Sequence, residues 1–112
     1  MVETRYNRHI TVRIDRVIHE PARLQIMTML SGVDWADFPS LCRGLGLTRG
    51  NLSAHCARLE RAGHVQVKKS FIGRIPHTQY RLTPKGRRVL KEYWAAMDQI
   101  RQLAETAPTR HG

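Results

Sequence analysis

The stretch LTRGNLSAHCARLERAG, residues 47–63, decides the fold. Thr48 stands where a helix N-cap belongs, because its hydroxyl can accept from the amides of the following turn. Leu52, Cys56 and Leu59 recur at helical spacing and form one inward face, and Gly63 stops the helix. The outward positions near its start are Arg49, Gly50, Asn51, Ser53, Ala54, Ala57 and Arg58, all small or polar. Such a face lets the helix backbone approach a partner closely while offering hydrogen-bond donors.

Upstream, FPSLCRGLGL (residues 38–47) places Phe38, Leu41, Cys42 and Leu45 on one helical face, with Gly46 ending the turn. Before it, a helix is expected from Glu20 to Leu30, with Pro21 in its first turn and Ser31-Gly32 as stop. VDWAD, residues 33–37, is a brief strand or a loop. Ile14, Val17 and Ile18 fit a helical face better than a strand, which predicts a helix ahead of Pro21. Downstream of Gly63 the period changes to two. Val65 and Val67 begin one strand; Thr78, Tyr80 and Leu82 share a face of a second; residues 73–76 form the turn. The tip of this hairpin is expected to be basic. Thr83-Pro84 starts a last helix reaching about Ala104, roughly 30 Å long at 1.5 Å per residue.

A short helix, a glycine turn, a capped second helix and a hairpin make a winged helix-turn-helix. The fold class is mainly α with a small β-hairpin and a long C-terminal dimerisation helix. Residues 1–9 are expected to be a flexible N-terminus, 10–105 the domain with dimerisation helices at both ends, and 106–112 a flexible tail. The stripe Leu90, Tyr93, Trp94, Met97, Ile100 and Leu103 is longer than such a domain can cover. With Ile14, Val17 and Ile18 it is the expected homodimer interface.

Charge points to the partner. Residues 48–91 hold eleven Lys and Arg against one acid, Glu60, while the remaining chain carries eight of each sign. A basic block between balanced segments is the electrostatic footprint of a nucleic-acid binder. In the helix 48–63, Arg49 can offer two donors to guanine and Asn51 can pair with adenine, whereas Arg58 sits further along and reaches phosphate. On the hairpin, Lys68 and Lys69 lie near phosphates, and Arg74, beside Pro76 and His77, is placed for a minor groove. The chain's expected partner is double-stranded DNA.

HEPARLQIMTML (19–30), LGLTRGNLSAHCARLERAGHVQV (45–67) and GRIPHTQYRLTPKGRR (73–88) resemble winged-helix transcriptional regulators of the ArsR/MarR type. The resemblance covers about residues 14–100. It is strongest to a small single-domain group of bacterial and archaeal members with the recognition-helix signature LTxGNLSxHxxxLExAGYV. It implies a homodimeric DNA-binding regulator, usually a repressor; a two-fold dimer presents two equal recognition helices, so an inverted repeat is the expected target. It assigns base reading to Thr48, Arg49, Asn51, Ser53 and His55 or Arg58, and the wing role to Arg74. Cys56 stands where relatives commonly carry an aliphatic residue, a small loss of core volume.

Other classes fare worse. The pair of cysteines one residue apart that metal-sensing ArsR relatives carry near the turn is missing; only Cys42 lies there. The six histidines (His9, His19, His55, His64, His77 and His111) show no HxxxH spacing, so no metal is expected. No phosphate loop or nucleophile motif occurs, and His55 and Cys56 diverge by about 100° on a helix, so no enzyme and no cofactor are expected. No apolar run approaches the roughly 20 residues of a membrane span, and two isolated cysteines suit a reducing cytoplasm. A small-molecule effector of unknown identity is left open, seated in the dimer's inter-helix crevice. Two alternatives stand beside the regulator: an architectural DNA binder with little sequence preference, and a winged-helix protein-interaction module.

Overall fold

The computed structural model describes residues 4–6 and 10–108. Strand β1 (Thr4–Tyr6) pairs antiparallel with β2 (Ile10–Val12), with Thr4 opposite Val12. Four helices follow: α1 (Pro21–Leu30), α2 (Phe38–Leu45), α3 (Arg49–Arg61) and α4 (Pro84–Gln102). Each begins in the same way. An extended residue precedes the first turn, and its side chain accepts from the amide three residues on. Glu20 caps α1 through the Arg23 amide at 2.7 Å, and Asp37 caps α2 through Ser40 at 2.8 Å. Thr48 caps α3 through Asn51 at 3.1 Å, and Thr83 caps α4 through Gly86 at 2.9 Å. Each bond satisfies an amide that the helix cannot pair internally. Gly46, at φ 66°, ends α2 in the left-handed conformation and turns the chain into α3.

A three-stranded antiparallel sheet completes the fold, in the order β3 (Ala36–Asp37), β5 (Ile75–Leu82), β4 (Val65–Ile72). The β4–β5 register runs from Val65 opposite Leu82 to Ile72 opposite Ile75. The core gathers one face of each helix and the root of the hairpin. Ile18, Ile26, Met27, Leu30, Leu41, Leu52 and Leu59 are fully buried, with Cys56, Val65, Tyr80, Leu82, Leu90 and Tyr93 packed beside them. The inward set of α3 is thus the predicted one.

The junction between the hairpin and α4 is tight. The Thr83 amide donates to the His64 carbonyl at 3.1 Å, and the Thr83 hydroxyl donates to the Gly63 carbonyl at 2.7 Å. Lys85 Nζ donates to the Ala62 carbonyl at 2.8 Å. Gly86 lies directly against the His64 backbone, where no Cβ would fit.

Three expectations need correction. Among the described residues no helix precedes Pro21: Ile10–Val12 is a strand, and residues 16–18 form a turn. Asp15 Oδ1 accepts from the amides of Val17 (2.8 Å) and Ile18 (3.2 Å), which satisfies locally what a helix would have satisfied. The apolar spacing that suggested a helix arises because this turn drops Ile18 into the core. Part of the expected frayed N-terminus, Thr4–Tyr6, is a strand, while residues 1–3 and 7–9 lie outside the described residues. Finally, α4 ends at Gln102 and tightens into a 3-10 turn over Leu103–Thr106, so regular structure reaches the first residue of the expected tail. Residues 107 and 108 follow without regular structure, and 109–112 lie outside the described residues.

Candidate nucleic-acid interface

Along the first turns of α3, Thr48, Arg49, Gly50, Asn51, Ser53 and Ala54 are all exposed, and Arg58 follows them further along the helix. A Cβ built on Gly50 would meet nothing within 4 Å, so no internal contact demands glycine there. The open space is on the outside, where a bulky side chain would hold a partner away. The Thr48 hydroxyl is engaged as the cap. The Asn51 amide serves that cap, and its side-chain carboxamide makes no hydrogen bond among the described residues. The Arg49 guanidinium lies 5.0 Å from the centroid of the Phe38 ring, which holds it at the start of the helix by a cation–π contact.

His55 faces elsewhere. Its Nδ1 is 3.4 Å from Arg23 Nη1 and 3.9 Å from Glu20 Oε1, so it clips α3 to the N-terminus of α1. Arg23 in turn donates from Nε to the Val17 carbonyl at 2.5 Å. The half-buried His55 therefore belongs to the scaffold behind the exposed face, in contrast to its expected base-reading place.

The hairpin has a stiff root and an apolar end. At the root, Trp35 is covered by two cations: Lys68 Nζ at 4.4 Å and the Arg81 guanidinium at 4.8 Å from the ring centroid. Arg81 also pairs with Asp34 at 2.6 Å. The Lys68 ammonium is thus already placed over an aromatic face, while Lys69 and Arg74 are exposed. His77 is half-buried, on the strand that pairs with Ala36–Asp37. Asp37 is held below its ordinary pKa chiefly by the Ser40 amide and hydroxyl, with smaller help from His77. The expected basic tip is a correction: around Gly73-Arg74 the side chains are Phe71, Ile72, Ile75 and Pro76, all exposed. Arg74 is the single cation among residues 70–76. Trp35 carries no signal in the sequence, since only the cross-strand register reveals that Lys68 and Arg81 share its face.

The remaining chemistry-bearing groups lie apart from this surface. Burial pushes the Cys56 thiol up to about 12, so thiolate chemistry at neutral pH is closed to it. Tyr80 beside it is raised to about 12, again mainly by burial. Among the described residues no three His, Cys, Asp or Glu side chains cluster as metal ligands would. No helix among them is long and apolar enough to cross a membrane.

Residues 22–101 match the family described as winged helix DNA-binding domain. The chain belongs to that family. An uncharacterized protein of Methanocaldococcus jannaschii is 36% identical over 78 residues, which cover 70% of this chain and 85% of the relative. The solved structure of a transcriptional regulator homologue from Pyrococcus horikoshii OT3 superposes with a TM-score of 0.74 at 31% identity, over 79% of this chain and 87% of that one. A MarR-family transcriptional regulator from Silicibacter pomeroyi shares the fold, with a TM-score of 0.60 at 22% identity over 83% of this chain and 62% of that one. The helix-turn-helix is α2–α3 and the wing is β4–β5. The family is a DNA-binding one, and the fold is shared with the regulators named above.

Proposed function

We propose that this winged helix is a sequence-specific DNA-binding repressor, acting in the cytoplasm as a homodimer on an inverted repeat. In this reading the start of α3 enters the major groove, Arg49 and Asn51 read base edges, and Gly50, Ser53 and Ala54 allow close approach. Arg58, Lys69 and Arg74 hold phosphates or groove edges, with Thr48 and Lys68 contributing from engaged positions. The observation that carries the proposal is the exposed face of α3. Its small and polar residues are exposed, with open space around Gly50, while the opposite face supplies the core with Leu52, Cys56 and Leu59.

The dimer reading draws its support from α4. Trp94 and Ile100 are exposed along it and Leu103 in the 3-10 turn that follows, and Met97 is half-buried. Leu90, Tyr93 and Ile18 belong to the protomer's own core and drop out of the expected interface. Ile14 and Val17 are half-buried beside an open cleft of about 710 Å³ between residues 13–17 and α4. That cleft is the place where an effector would fit.

Selection of bound fragments from random DNA, followed by affinity measurement on the selected and a random duplex, tests the function. An inverted repeat with half-sites roughly one helical turn, 34 Å, or a multiple apart is expected. Equal affinity for both duplexes would replace the regulator by an architectural binder.

A further inference from the structure

The end of the wing is apolar on both faces. Side chains alternate along each strand, so the cross-strand pair Phe71–Pro76 projects from one face of the ribbon and Ile72–Ile75 from the other. Phe71 is 70% exposed, Ile72 62% and Ile75 70%. The two-residue turn between them, with Gly73 at φ 64°, puts Arg74 at the apex. A flat protein surface could cover one face of this tip and would leave the other in water. Only a cleft or a pair of separable planes covers both.

Charge selects the kind of cleft. Residues 61–91 contain no Asp or Glu, so the wing rises from a purely cationic stem. Lys69 shares a face with Phe71, and the nearest acids, Asp34 and Asp37, lie at the root, where Arg81 and the Ser40 amide engage them. A polyanion with an apolar interior fits this combination. Duplex DNA offers phosphates at the groove edge and stacked bases inside it.

We propose that the wing tip is an intercalating wedge. With Arg74 in the minor groove, Phe71 or the Ile72–Ile75 pair enters between two base pairs, unstacks them and bends the duplex. The inference rests on the DNA-binding reading above and adds a mode of binding to it. Pyrimidine–purine steps unstack most readily, so the wedge also gives the protein a preference at a position that no side chain hydrogen-bonds. The clamped root supports this, because a wedge needs a stiff arm behind it.

The test uses the full chain and two duplexes, one recovered by selection and one random. Both carry end labels for energy transfer and a 2-aminopurine at the wing-proximal step. Wild-type protein is expected to shorten the end-to-end distance of the selected duplex and to raise 2-aminopurine fluorescence. Phe71→Ala, and Ile72→Ala with Ile75→Ala, should abolish most of both signals and bind about tenfold more weakly, as removal of buried apolar surface requires. Their salt slope should stay at the wild-type value, because every cation that neutralises a phosphate is still present. Their unfolding midpoints should match wild type, since these side chains are exposed. Variants that bend and bind like wild type overturn the wedge and leave DNA binding intact. Variants that no longer self-associate while bending normally also overturn it, and assign the tip to a second copy of the chain. Wild-type protein that binds neither duplex overturns the DNA-binding reading and the wedge together.

Discussion

Gly86, in the first turn of α4, packs its bare Cα against the backbone carbonyl of His64, at the start of the wing. The opposing atoms are main chain, held by the Thr83 amide and unable to rotate away. Gly86→Ala is therefore expected to destabilise the fold. Alanine gains about 1 kcal/mol of helix propensity, while forced overpacking costs typically 1–3 kcal/mol. The clash is with backbone, so the larger figure applies and the denaturation midpoint should fall. A midpoint at or above wild type would contradict this packing.

His64 also carries a pH dependence. Its ring is almost fully buried, neither nitrogen is hydrogen-bonded among the described residues, and Asp15 Oδ2 at 3.6 Å from Nε2 is too distant for a hydrogen bond. Burial pushes its pKa below the ordinary 6.5, with Asp15 opposing and Lys85 assisting. The unfolded chain then binds a proton more readily than the folded one. Stability contributed by the neutral ring is complete above pH 6.5 and falls as the pH drops below it. Urea midpoints measured across this range should decline toward acid, and His64→Gln should flatten that part of the profile. An unchanged profile in the variant would remove His64 as the cause.

Reading and gripping should separate by salt. Arg49→Ala or Asn51→Ala is expected to cost about 1–3 kcal/mol on the selected duplex and less on a random one. Lys69→Ala should weaken both alike and lower the salt slope by roughly one unit for each phosphate left without its cation. Lys68→Ala should do less of this and loosen the wing root, because its ammonium rests on Trp35. Equal weakening on both duplexes for the Arg49 and Asn51 variants would refute base reading.

Self-association is expected at Trp94. Its ring is half-exposed, stacked edge-on to Tyr93 at 5.4 Å, and bounds an apolar cleft with Leu24, Met29 and Leu45. Sedimentation should give about twice the 12.9 kDa of one chain, and Trp94→Glu should shift it toward the monomer. A wild-type monomer at micromolar concentration would defeat the dimer reading.

The segments legible in the sequence are those whose local chemistry agrees with their burial. Thr48, Leu52, Cys56, Leu59 and Gly63 report one helix by cap, period and stop, and the structure forms it. Thr83-Pro84 does the same for α4. The sequence misleads where a side chain substitutes for secondary structure. Asp15 builds a turn that mimics a helical period, and nothing nearby in sequence reveals that it bonds two amides. It misleads again where partners are distant along the chain. Tyr93 resembles an interface residue until its ring is seen buried against the protomer's own core, with its hydroxyl 2.9 Å from His19 Nδ1. The candidate site is legible on α3, where exposure follows directly from helix geometry. On the wing, the number of cations obscures the apolar residues among them.

The clamp of Trp35 between Lys68 and Arg81 separates two inheritances within one hairpin. Changes at residues 71–76 alter what the protein meets and leave the core untouched, because every residue there is exposed. A different tip could therefore be carried by the same root and the same helices behind it.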